Sequence, residues 1–204
     1  KYTNKIKISY NNIKIKNNHR KKQDLYKTHL NLVFVGRLIK GKSLTNIILS
    51  IKDLNNVILT IFGDGPERQK IELMIQKYKL EKRIILEGYR DNEYIINKLK
   101  SFDAFIAYHK YYEFPKTIIE ALLVGIPIIL NSSPSKDIFE YKNLNILWTN
   151  DDSNSYKKTI NNLIDKKYDL NLIRNKNNSE VKKILRKVKD DEDHFCFWNK
   201  AWVY

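Results

Sequence analysis

The chain has 204 residues, 42% of them apolar, enough for one substantial core, and a formal net charge of +15. Its single cysteine, Cys196, excludes an internal disulfide or a cysteine metal cluster and fits a reducing, cytoplasmic setting. No apolar stretch reaches the ~20 residues of a membrane span, and no signal-peptide core opens the sequence.

Residues 1–29 are rich in Lys and Asn and read as a linker with one short alternating run, Ile6–Tyr10, that suits an edge strand. From residue 30 apolar runs of strand length recur at 31–35, 56–62, 83–87, 103–107, 126–130 and 144–148. Helical patterns fill the gaps near 43–53, 67–79, 91–100, 115–124 and 134–141, and the chain reads as helical again from 151. Continuous apolar strands separated by helices imply a parallel sheet covered on both faces. Residues 30–190 are therefore expected to form a doubly wound, Rossmann-like α/β domain. Residues 191–204 read as a helix with Phe195, Phe197, Trp198, Trp202 and Tyr204 largely on one face, packed in the core or docked on a further domain. With Met74 its only methionine, the chain reads as a piece of a longer protein. Lysines are scattered, and dense only at 14–22 and 182–189. That fits a solvated surface and leaves open a peripheral contact with a membrane or a lipid-linked acceptor; no nucleic-acid motif accompanies it.

The six glycines fall where a nucleotide site on such a sheet would need them. Gly36 closes the first apolar run and is followed by Arg37, with Gly41 and Lys42 in the same turn; Gly63 and Gly65 follow the second run, Gly88 the third, and Gly125 precedes the fifth. Glycine at a strand's carboxyl edge lets the backbone turn sharply and a ligand approach closely. An Arg fork and a Lys point charge at that edge suit a diphosphate. In 113-EFPKTIIEA-121, Pro115 suits a first helical turn, whose open N–H groups would face an anion. Glu120 lies in an otherwise apolar helix on roughly the side of Glu113; sugar or ribose hydroxyls, or a core salt bridge, would satisfy it. His109 follows the fourth run and could line the site. The four histidines have no metal-ligand spacing, and there is no Walker loop, nucleophile elbow or Gly-x-Gly-x-x-Gly.

Six pieces in this order, 33-VFVGRLIKGKS-43, 61-IFGDGPERQKIE-72, 84-IILEGYR-90, 103-DAFIAY-108, 113-EFPKTIIEALLVGIPII-129 and 137-DIFE-140, resemble the C-terminal, donor-binding half of the two-domain retaining GT-B glycosyltransferases of family 4, or group 1. The segment Ile6–Ile15 is similar to that family's interdomain strand. The resemblance implies transfer of a sugar from a UDP-, GDP- or ADP-linked donor to a glycan or lipid-linked acceptor, with retention and without a metal or other cofactor. Arg37 and Lys42, with Glu113, would be the catalytic set, the two cations holding the diphosphate. Gly36, Gly63 and Gly65 would border the donor. Backbone at Gly88, Tyr89 and Arg90 would meet the base, and Glu120 the ribose hydroxyls. Glu113 with Phe114, Pro115, Lys116 and Thr117 would face the sugar and phosphates, beside His109. The acceptor belongs to an N-terminal domain that this sequence does not contain, in cis or in trans. Two departures stand out. The family's paired glutamates have seven residues between them, whereas only six lie between Glu113 and Glu120, so that either one residue is deleted or Tyr112 holds the first position. Tyr108-His109 replaces the usual Pro-Ser. The shortened loop keeps open a non-catalytic nucleotide- or sugar-binding module, or a subunit of a split transferase.

Overall fold

The computed structural model describes residues 29–111 and 114–190, with side chains to residue 185. The expectations for Ile6–Ile15, Tyr112, Glu113 and the aromatic segment 191–204 fall outside the described residues. Six strands, β1 (Leu30–Val35), β2 (Val57–Phe62), β3 (Ile84–Gly88), β4 (Ala104–Ala107), β5 (Ile128–Asn131) and β6 (Leu147–Thr149), form one sheet in the order β3-β2-β1-β4-β5-β6. Every pairing is parallel, for example Leu32 opposite Leu59 and Phe105 opposite Ile128. The helices are α1 (Leu44–Ile51), α2 (Arg68–Lys77), α3 (Asn92–Leu99), α4 (Lys116–Val124), α5 (Ser153–Ile164) and α6 (Leu170–Asp190).

The period-2 alternation of the strands sorts their side chains into two cores. Leu32, Phe34, Leu59 and Ile61 pack with Ile47, Ile71 and Ile160 on one face of the sheet. Val33, Phe62, Phe105 and Leu130 pack with Ile95, Ile118, Leu122 and Val181 on the other. Burial on both faces is why these strands lack the alternating polar residues of a half-exposed sheet. Asp91 and Asp152 cap α3 and α5 by accepting the N–H of Tyr94 and Ser155, each at 2.8 Å. Arg83, just before β3, donates to the carbonyls of Ile51 and Leu54 at 2.7 Å and closes the C-terminal end of α1.

The helix expected over 134–141 is instead two short 3-10 turns, Ser135–Asp137 and Phe139–Tyr141. Ile138 between them is extended (φ −76°, ψ 127°), which breaks the helical hydrogen-bond ladder. Gly125 caps the C-terminus of α4 at the opposite edge of the sheet from the other glycines, so its presence reports a helix end and not a ligand.

Candidate functional site

The chain leaves the sheet from β1 in one direction and from β4 in the other, so these neighbouring strands mark the switch point of the doubly wound order. Loops at the carboxyl ends of such a pair diverge and leave a crevice. Arg37, exposed, and Lys42, half-buried, lie in the β1 loop. His109 to Tyr111 follow β4, and a side chain on Gly41 would stand 3.6 Å from the Tyr111 ring, so the two loops touch.

His109 is buried, and its backbone is held by Asn131 at the end of β5. The Asn131 carboxamide accepts the His109 N–H at 2.7 Å, donates to the His109 carbonyl at 2.8 Å, and also donates to the Ser133 carbonyl. Burial, aided by the Lys42 charge, holds the His109 imidazole well below its ordinary pKa and therefore neutral. Sequence reasoning passed over Asn131; its one signal was a lone amide closing the apolar run Ile128-Ile129-Leu130.

Helix α4 opens at this crevice. Pro115 stands at its N-cap (φ −74°, ψ 154°), one place earlier than expected, and its carbonyl accepts the N–H groups of Ile118 and Ile119. The N–H groups of Lys116 and Thr117 precede the intrahelical ladder and face the helix's N-terminal end. Glu120 is almost wholly buried one turn further on, with its Oε1 3.5 Å from the exposed Lys116 ammonium. Burial pushes its carboxyl above the ordinary range, partly offset by the Asn92 amide on α3 and by Lys116. Nothing in the sequence distinguished Asn92.

Three of the expected site residues, Phe114, Gly63 and Gly65, also pack closely against protein. Phe114 is 4% exposed and stacks edge-on against Tyr141 at 4.9 Å, which in turn meets Trp148 at 5.7 Å. An aromatic ring beside a buried cluster gains more from packing than from facing a polar ligand. Gly63 and Gly65 serve close packing between loops. A Cβ on Gly63 would stand 1.9 Å from the Gly36 carbonyl oxygen, and one on Gly65 2.6 Å from that of Leu38. The same loops exchange backbone bonds: Gly36 N–H to Phe62 O at 3.0 Å, Leu38 N–H to Asp64 O at 2.9 Å, and Gly63 N–H to Gly88 O at 2.8 Å. Gly88 ends β3 at the same edge and Tyr89 and Arg90 follow it, with Tyr89 78% exposed and Arg90 paired with Glu87 at 3.0 Å. Two cations, a helix N-terminus and a buried carboxylate at one edge can hold an anionic group flanked by hydroxyls.

The model of the family described as glycosyl transferases group 1 matches residues 15–188. The chain belongs to this family. A lipopolysaccharide core biosynthesis glycosyltransferase of Rhizobium meliloti is 30% identical to this group 1 glycosyl transferase over 98 residues, covering 48% of the chain and 28% of the relative. An N-acetylgalactosaminyltransferase of Campylobacter jejuni, named for a diphospho-undecaprenol-linked acceptor, is 25% identical over 166 residues, 79% of the chain and 45% of the relative. The chain thus spans less than half of either relative. Among solved structures, the catalytic domain of cholesterol-α-glucosyltransferase from Helicobacter pylori is similar with a TM-score of 0.67 at 17% identity, covering 77% of this chain and 99% of that one. Anabaena HepE, solved with UDP and glucose, gives 0.67 at 19% identity over 80% and 48%. At such identities these structures carry the Rossmann-like GT-B fold. Among the described residues no helix is long and apolar enough to cross a membrane.

Proposed function

We propose that this group 1 glycosyl transferase chain is the donor-binding half of a retaining enzyme that moves a sugar from a nucleotide-sugar to a glycan or lipid-linked acceptor. The observation that carries the reading is the placement of Arg37 and Lys42 on the β1 loop next to the loop and helix that follow β4. As the bond between the anomeric carbon and the diphosphate oxygen breaks, negative charge grows on the leaving nucleotide. Arg37, Lys42 and the N–H groups of Lys116 and Thr117 offset it, so the reading calls for no metal. The acceptor oxygen bonds to the anomeric carbon on the face that the leaving group vacates, and its proton passes to the departing phosphate. Glu120, already buried and ionisable, takes the ribose hydroxyls; the backbone at Gly88–Arg90 meets the base. Solution of Anabaena HepE with UDP and glucose supports a uridine-linked donor among the candidates. The acceptor groups belong to an N-terminal half, and the high positive charge suits work at a cytoplasmic membrane face.

A panel of UDP, GDP, ADP and their sugar conjugates, read by thermal shift, tests this. One nucleotide is expected to stabilise the chain by about 2.7 kcal/mol at ~100 times its Kd. In the enzyme completed by its N-terminal half, Arg37→Ala is expected to lower kcat by ~10²–10³. Failure of every nucleotide to bind would overturn the reading. The spacing of Glu113 and Glu120 favours one rival, a binding module without catalysis; nucleotide binding with no transfer by the completed protein would establish it.

A further inference from the structure

Arg68 opens α2 at the carboxyl edge of the sheet, between the β2 and β3 loops. Its Nε donates to Glu72 at 2.8 Å, and its Nη1 lies 3.5 Å from Asp64. Glu72 lies one turn further along the helix and Asp64 in the loop after β2, and half-exposed pairs of this kind add little stability. They do not account for a third neighbour on a different strand. A Cβ placed on Gly88 would stand 3.5 Å from Arg68 Nη1, which among the described residues is the one heavy atom within 4 Å beyond the chain neighbours. Gly88 has φ +70°, a left-handed conformation, and glycine restrains its own backbone least of all residues. The guanidinium thus lies in van der Waals contact with the side-chain position of residue 88, and two carboxylates hold it there. Asp64 is itself fixed, its Oδ1 accepting the Gly65 N–H at 2.7 Å. The Gly63 N–H pins the Gly88 carbonyl, so the β3 turn is bonded at its carbonyl and contacted by the guanidinium on its side-chain face.

We propose that Arg68 is a positioning residue for the nucleoside end of the donor site. Its clamped guanidinium keeps the turn Gly88–Arg90 in the one conformation in which its backbone groups meet a base. The inference rests on the reading above, which gives that turn to the base. A turn left loose by loss of the guanidinium would have to be ordered on binding, at a cost in affinity for the nucleoside and none for the diphosphate.

The test compares the whole 204-residue chain with Arg68→Met, which keeps an apolar stem and drops the fork, by titration calorimetry with UDP, GDP, ADP and inorganic pyrophosphate. The nucleoside diphosphate that binds best is expected to weaken about tenfold, with pyrophosphate within about twofold of the parent chain. Arg68→Lys, a point charge that cannot span Asp64 and Glu72 while lying against Gly88, is expected to recover only part of the loss. Equal losses for pyrophosphate and nucleoside diphosphate would overturn the proposal, and so would no loss at all. Should Arg68→Met fail to fold, Glu72→Gln removes one holder and leaves the guanidinium, with the same selectivity and a smaller loss of about threefold. If the parent chain binds pyrophosphate but gains nothing from any nucleoside, the reading of the turn itself falls and this inference with it.

Discussion

His109 and Glu120 are two ionisable groups shifted away from charge by the same cause, burial, and they respond to pH in opposite senses. The folded His109 resists a proton that the unfolded chain accepts near pH ~6.5. Its contribution to stability is complete above that pH and is lost as pH falls below it. His109→Gln is therefore expected to flatten the fall in Tm between pH 7.5 and 5.5; an unchanged slope would mean that the imidazole titrates freely. For Glu120 the folded pKa is raised, so stability is fully present below the ordinary carboxylate range and is lost as pH rises through the folded value. Glu120→Gln is expected to raise the Tm of the ligand-free chain at pH 7, by more than at pH 4.5. Lys116, the partner left behind, is exposed and loses little. On the reading of Glu120 as the ribose partner, the same variant weakens nucleoside diphosphate and spares pyrophosphate. A lowered Tm at pH 7 with both ligands equally affected would instead make Glu120 a structural pair with Lys116.

At the scale of elements, the six strands were readable because a doubly covered parallel sheet leaves continuous apolar runs, and 57–62 or 104–107 cannot be taken for amphipathic helix. The turns after them were less so. Arg37 and Lys42 could be placed at the carboxyl edge from strand order alone, whereas the burial of Phe114 depends on Tyr141 and Trp148, residues distant in the chain that no local pattern connects to it. The pair Ser135–Asp137 and Phe139–Tyr141 reads as one helix in the sequence because its polar and apolar residues keep helical spacing; only the extended Ile138 divides it. Gly63 and Gly65 stand out in the sequence, but the glycine requirement comes from the facing β1 loop. The aromatic trio predicts a stability effect where a ligand contact would predict none. Phe114→Ala is expected to cost about 3–5 kcal/mol in urea unfolding, and Phe114→Leu under ~1.5 kcal/mol. Equal stability of both variants to the parent would return Phe114 to the ligand.

For the molecule as a whole, the loops after β1, β2 and β3 form one body, since each exchanges a backbone bond with the next and Gly63 leaves no room between them. The amides of Gly36, Leu38 and Gly63 sit beyond the strand ends, where exchange with solvent deuterium is ordinarily rapid. Here each is bonded to the neighbouring loop, so parting one loop means parting its neighbour and, through it, the edge of the sheet. Their exchange is therefore expected to follow global opening, as slow as that of Leu59 and Ile61 within β2 and showing the same dependence on denaturant. Exchange orders of magnitude faster than in β2 would show loops that open one at a time. If the three amides keep pace with the core, the half of the edge assigned to the nucleotide unfolds only when the protein does.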